Sequence, residues 1–294
     1  MPFYQTRGTI PKKRHTIFKN PNGGIYFEEL VSREGFSYTY SNLYHLNMPT
    51  QVKELGEFKN CKNENDNIIY LNKLLKLFNV NLNYNIDNKS INILKNISFD
   101  VDYKETISVV GESGSGKTSL IMLIGGLEKV SSGNIFFRDS ELSKMNEDEI
   151  SEIRRKNIGI VFQSFYLIPN YTALENVSLS LEINKFDNPK AKAKEILDRF
   201  GLSNRFNNFP SQLSGGEQQR VAIARSVAMK PEIILADEPT GNLDSENTHK
   251  ISNLLFNYIE DENASLIMVT HDNNLANLTK RKITIKDGVI SENK

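Results

Sequence analysis

The spacing of apolar positions changes along the chain. From about residue 73 onward, short apolar runs alternate with amphipathic stretches. LLKLFNVNLNY and ILKNISFDV have the character of strands. TISVV leads through a glycine-rich loop into the apolar helix KTSLIMLIGGL, and NIGIVFQ is a further strand. PKAKAKEILDRF predicts a helix closed by Gly201, and EQQRVAIARSVAMK a helix stopped by Pro231. EIILADEP and SLIMVTHD are continuous apolar runs, as expected of strands covered on both faces. Strands alternating with helices predict an α/β fold with a parallel sheet between helical layers. No repeat with a period of 20–50 residues is present.

Residues 1–56 follow a different pattern, rich in Gly, Pro, Tyr and short apolar pieces that read as strands and turns, with Pro21–Gly24 a strong turn signal. KNCKNENDN at 59–67 is polar and Asn-rich, as a linker would be. The division expected is therefore residues 1–58 as a β-rich N-terminal piece, 59–72 as a linker and 73–294 as one α/β domain. Some 58 residues can bury little apolar surface, so that piece is expected to be poorly packed, with unpaired strand edges.

Composition narrows the options. Of 294 residues, 38% are hydrophobic and 24% charged, enough apolar mass for a core. Lys plus Arg and Asp plus Glu are both 36, so net charge is zero, and coating of nucleic acid by charge alone is excluded. The single cysteine, Cys61, excludes a disulfide framework, and the four histidines are too scattered for a metal cluster. The longest apolar run, residues 119–127, is about half the length of a membrane helix. MPFYQTRGTIPKKRH lacks the apolar stretch of a signal peptide. The default is a cytosolic chain; at a membrane, another subunit must supply the spans.

The candidate chemistry is concentrated in a few motifs. GESGSGKT, Gly111–Thr118, follows a strand and opens a helix, the context of a phosphate-binding loop. Gly111, Gly114 and Gly116 let backbone N–H groups approach phosphate oxygens, and the helix N-terminus adds a positive dipole end. Lys117 can reach the β- and γ-phosphates and the Thr118 hydroxyl can bind Mg²⁺. Ser113, Ser115 and Ser119 belong to the same nucleotide-binding stretch. EIILADEP ends in two carboxylates: Asp237 is suited to hold Mg²⁺ and Glu238 to activate water. LSGGEQQR places Ser214, Gly215 and Gly216 at a helix start with Glu217 in its first turn, a second anion-binding terminus. Alone, that motif reads as an ordinary Ser-capped helix.

The order phosphate loop, lone Gln, LSGGE, apolar run with Asp-Glu, then a late His resembles the ATP-binding-cassette (ABC) ATPases over residues ~70–294. The resemblance implies a P-loop NTPase with a RecA-like core, an antiparallel β subdomain and a helical signature subdomain at about 145–230. It implies that Gln163 meets Mg²⁺, the attacking water and the transmembrane partner, that Asp244 lies in the D-loop, that His271 contacts the γ-phosphate, and that Tyr84 stacks on adenine. Without the resemblance, Gln163 and Tyr84 are an ordinary surface Gln and core Tyr, and His271 a structural or surface His. It further implies ATP and Mg²⁺ as ligands, transmembrane permease subunits as partners, and a head-to-tail dimer in which Ser214 and Gly216 serve the other subunit's ATP. The expected location is the cytoplasmic face of the inner (plasma) membrane.

IGGLEKVSSG, NIGIVFQSFYLIPNYTALENV and TGNLD are similar to the lipoprotein-releasing (LolD-like) and macrolide-export (MacB-like) ATPase subunits, with the cell-division ATPase FtsE a near neighbour. Lys104 departs from the usual Gly-Glu pair before the phosphate-loop strand, and Thr-Ser replaces the commoner Ser-Thr after Lys117. Residues 1–56 resemble instead the start of homogentisate 1,2-dioxygenase, through MPFY, PKKRHT and GGIYFEEL. None of that enzyme's iron ligands is matched, so no dioxygenase activity is expected. A soluble, non-transport ABC ATPase is the alternative of a different class, but such proteins carry two cassettes or a long coiled coil, and residues 119–212 hold no sustained heptads.

Overall fold

The computed structural model describes residues 12–19, 25–33, 36–42, 73–86 and 89–292, with backbone alone for 12–42, 85, 86, 89 and 245. Contacts divide the chain into two units, Met1–Lys73 and Leu74–Lys294. In the first, β1 (Lys12–Lys19), β2 (Ile25–Arg33) and β3 (Phe36–Asn42) form an antiparallel sheet in that order, with Lys19 opposite Ile25 and Arg33 opposite Phe36. The turn predicted at Pro21–Gly24, the linker at 59–72 and the expected poor packing of residues 1–58 lie outside the described residues.

The second unit takes in all but the first residue of β4 (Lys73–Ile86), then β5 (Lys89–Asp102) and β6 (Thr106–Val110), followed by α1 (Lys117–Ile124), β7 (Ser132–Phe137) and β8 (Ser140–Glu141). Then come α2 (Glu147–Asn157), β9 (Ile158–Val161), α3 (Ala173–Ile183), α4 (Pro189–Arg199), α5 (Gly215–Val227) and β10 (Ile233–Asp237). The chain closes with α6 (Ser245–Glu262), β11 (Ser265–Val269), α7 (Asn273–Ala276), β12 (Arg281–Lys286) and β13 (Val289–Glu292).

A six-stranded sheet has the order β13-β12-β6-β11-β10-β9, parallel from β12 to β9 with β13 antiparallel at its edge. Its faces separate by alternation. Ile234 and Ala236 of β10 and Leu266 and Met268 of β11 join one core with α3 to α6. Ile233, Leu235, Ile267 and Val269 join the other, with α1 and the strands β4 and β5. This double coverage explains why both strands read as unbroken apolar runs. The second sheet, β5-β4-β7-β8, is antiparallel wherever its pairing is specified. The P-loop NTPase architecture, its antiparallel β subdomain and its helical signature subdomain are all present.

Two turns carry the departures from simple pattern. Lys104, between β5 and β6, sits at φ 61, and its N–H donates to Ser265 Oγ at 2.8 Å. A left-handed non-glycine residue stores about 1–3 kcal/mol, held here by the turn it closes. Gly201 at φ +69 ends the α4 segment, two residues past the helix itself, as the pattern predicts. Four helices beyond the pattern, α2, α3, α6 and α7, have caps: Asn146 with Glu149 and Thr172 with Glu175 form reciprocal capping boxes, Asp244 accepts from Asn247 N–H and Asp272 from Asn274 N–H.

Candidate functional site

Parallel strands all point their C-terminal ends to one edge of the sheet, where ligands bind in open α/β folds. β6 ends there in the glycine-rich loop, β10 in Asp237, β11 just before His271, and β9 just before Gln163. Residues far apart in sequence are gathered there because the strands share one direction.

The loop between β6 and α1 is shaped for close backbone approach. Gly114 and Gly116 have φ of 79 and 103, and a Cβ at Gly114 would meet nothing within 4 Å, so this rim is open. A Cβ at Gly111 would lie 2.2 Å from the Ile285 carbonyl oxygen, so only glycine fits. The Lys117 ammonium is buried and donates to the Gly111 and Glu112 carbonyls at 3.0 and 2.8 Å. Ser115 is buried, its Oγ has no hydrogen-bond partner among the described residues, and its carbonyl accepts from Gly288 N–H at 3.1 Å. Among the described residues, a buried hydroxyl without a hydrogen-bond partner, an ammonium hydrogen-bonded to loop carbonyls and an α1 N-terminus with no side-chain cap together fit a phosphate chain. Ser113 is exposed on the rim and Ser119 is half-buried in α1.

Thr118 lies beside Asp237, which brings the loop next to the tip of β10. Burial pushes the Asp237 carboxyl above the usual range; Thr118 and Lys117 oppose that shift, and nearby Glu238 adds to it. A buried, destabilised carboxylate beside a hydroxyl is a donor set suited to a hard divalent cation.

Glu238 occupies a left-handed conformation, φ 45, fixed by its N–H to Val269 O at 2.9 Å and by Gly241 N–H to its own carbonyl at 3.0 Å. Strain of this kind clusters at functional sites. The Glu238 carboxylate, 18% exposed, lies 3.0 Å from Nδ1 of His271, which is 66% exposed. Gly241 is hemmed in on the same side: a Cβ there would stand 3.0 Å from both Gln163 Nε2 and Glu238 Oε2. Gln163 Nε2 donates to Asn242 Oδ1 at 3.3 Å, and Asn242 Nδ2 donates to the Gln163 carbonyl at 3.1 Å.

The signature segment builds a separate surface. Ser214 caps α5: its Oγ accepts from Glu217 N–H at 3.3 Å, and Glu217 Oε2 accepts from Ser214 N–H at 2.8 Å. Arg205 at 2.7 Å, with the Ser214 backbone, holds the Glu217 carboxyl below the usual range. Gly215 faces Leu243 and Phe165, and a Cβ at Gly216 would lie 2.7 Å from Asn247 Oδ1. Asp244 caps α6, and bonds from the Asn247 backbone and side chain lower its carboxyl pKa. No hydrogen bond joins Ser214, Gly215 or Gly216 to the phosphate loop among the described residues. The Tyr84 hydroxyl donates to Glu128 Oε2 at 3.1 Å, in the segment that follows α1. Burial, then Glu128, raises its pKa.

Sequence reasoning missed the ties between these parts. Gln219, fully buried in α5, donates through Nε2 to Pro239 O at 2.6 Å, beside Glu238. Arg225 donates to the Tyr166 and Phe165 carbonyls at 2.6 and 3.1 Å, just past Gln163. It meets no carboxylate among the described residues, and burial lowers its pKa. A polar residue at a position where the helix pattern calls for burial is the signal that could have found both.

A family model described as ABC transporter matches residues 94–241. The chain is 43% identical over 203 residues to the lipoprotein-releasing system ATP-binding protein LolD of Cytophaga hutchinsonii, covering 68% of this chain and 93% of that relative. It is 45% identical over 202 residues to LolD of Aquifex aeolicus, covering 67% of this chain and 89% of the relative. A dimeric ATP-binding cassette in a post-hydrolysis state, bound to ADP and Pi, superposes with a TM-score of 0.69 at 41% identity, over 74% of this chain and 98% of that one. These matches are cassettes, and they lend no support to the likeness of residues 1–56 to homogentisate 1,2-dioxygenase.

Proposed function

The chain belongs to the ABC transporter family as an ATP-binding, ATP-hydrolysing cassette, and on that premise we propose that it powers membrane permease subunits in lipoprotein release. The observation that carries the ATPase part is the convergence of Lys117, Thr118, Asp237 and Glu238 at one sheet edge, with Thr118 beside Asp237. The identity to LolD relatives along almost their whole length supports the transport part. No helix among the described residues is long and apolar enough to cross a membrane. In this reading the chain sits at the cytoplasmic face of the inner membrane, held by its permeases.

The phosphates of ATP seat on the N–H groups of residues 111–118, and Lys117 exchanges the carbonyls of Gly111 and Glu112 for phosphate oxygens. Tyr84 stacks on the adenine. Thr118, Asp237 and Gln163 would hold Mg²⁺, which when bound offsets phosphate charge. Glu238 accepts the proton of the attacking water, while His271, bonded to that carboxylate, faces the γ-phosphate. Ser214, Gly215 and Gly216, none of which is hydrogen-bonded to its own phosphate loop among the described residues, reach the ATP of a second copy. Asp244, which caps the neighbouring α6, lines the same junction. Closing on ATP and opening after hydrolysis supplies the movement the permeases use.

Glu238→Gln is expected to bind ATP and accumulate a closed dimer while turnover drops by about 10²–10⁴-fold. Near-normal hydrolysis would remove Glu238 from this role.

A further inference from the structure

We propose that Asn242 is a positioning residue that fixes the amide of Gln163 so that its oxygen, not its nitrogen, faces the Mg²⁺ site. The inference rests on the ATPase reading above and deepens it. One side chain grips Gln163 twice: Asn242 Oδ1 accepts from Nε2 at 3.3 Å, and Asn242 Nδ2 donates to the main-chain carbonyl at 3.1 Å. A primary amide presents either two N–H donors or an oxygen, depending on a half-turn about its last bond. With Nε2 committed to Asn242, Oε1 is the atom left without a hydrogen bond among the described residues. A hard divalent cation takes oxygen ligands, so a flipped amide would present the wrong group.

The neighbouring residues support the grip. Gly241 leaves room for Gln163 Nε2 and Glu238 Oε2 to approach the same point, each 3.0 Å from where a Cβ would stand. On the other side of Gln163, Arg225 holds the carbonyls of Phe165 and Tyr166. The segment is thus pinned after Gln163 by Arg225 and at Gln163 by Asn242. Within TGNLD, the glycine admits the two side chains and the asparagine orients one of them.

The test uses the full chain and titrates Mg²⁺ against the equilibrium affinity for ATP, alongside turnover, in wild type, N242A, Q163A and the double variant. Asn242 is exposed, so N242A should melt with the wild type. N242A is expected to raise the half-saturating Mg²⁺ concentration about three- to tenfold, leaving metal-free ATP affinity unchanged. In the Q163A background the same change should shift nothing further, because both act through one amide. An unchanged Mg²⁺ requirement in N242A, or full additivity in the double variant, would overturn the proposal. Failure of Mg²⁺ to strengthen ATP binding in the wild type would overturn the functional reading beneath it as well.

Discussion

Ser214 caps α5 and is proposed to meet the ATP of a second copy, two roles that substitution can separate. As the cap of α5 it satisfies Glu217 N–H, while Glu217 satisfies Ser214 N–H in return. Removing a serine cap for alanine costs about 1 kcal/mol, and for glycine only a few tenths, because glycine adopts the cap conformation and leaves the amide open to water. In a domain the size of Leu74–Lys294, 1 kcal/mol corresponds to a Tm change of about 2–4 °C. Ser214→Ala should therefore melt about 2–4 °C lower, and Ser214→Gly within about 1 °C of wild type. If the hydroxyl also contacts phosphate in a second copy, both variants lose turnover alike, by about a hundredfold, the usual effect of deleting one oxyanion donor. Calorimetry and steady-state Mg²⁺-ATP hydrolysis on the same samples read both quantities. Turnover that tracks Tm, with the glycine variant near wild type, would make Ser214 a cap and nothing more.

Asp237→Asn should raise Tm at pH 7–8 yet abolish Mg²⁺-dependent ATP binding. Burial raises the native pKa of Asp237 above its unfolded value, so the native state holds the extra proton between the two pKa values and stability falls as pH rises through that window. Above it the full penalty is present, and below about pH 4 it vanishes, so the advantage of the asparagine must shrink on acidification; an advantage that persists or grows there would contradict the assignment. Deleting residues 1–60 should leave Mg²⁺-ATP turnover of the cassette within about twofold, since the two units are separate clusters of contacts. A large loss would make that segment a working part.

What could be read from the sequence alone depended on how local the signal was. The phosphate loop and the tip of β10 were legible because strand, loop and helix follow one another within about twenty residues, and each residue type has one chemical reason to be there. Helix α6 was not, although Ile251, Leu255, Tyr258 and Ile259 recur at helical spacing on its buried face, since polar residues surround them. Helix α2 buries only Ile150, so its capping box was the usable signal. Gln219, Arg225 and Asn242 eluded the reading for another reason: each meets a partner 20 to 79 residues away, which only the fold brings near.

The head-to-tail arrangement is open to a direct complementation test. Lys117→Ala and Ser214→Gly proteins, each impaired alone, are mixed in equal amounts and assayed for ATP hydrolysis. If a site is built from one copy's phosphate loop and the other copy's signature, every mixed dimer has one complete site. About half the dimers are mixed, so turnover should recover to about a quarter of wild type. Activity no greater than the sum of the two parents would mean that Lys117 and Ser214 do not meet across a dimer, and would contradict the account.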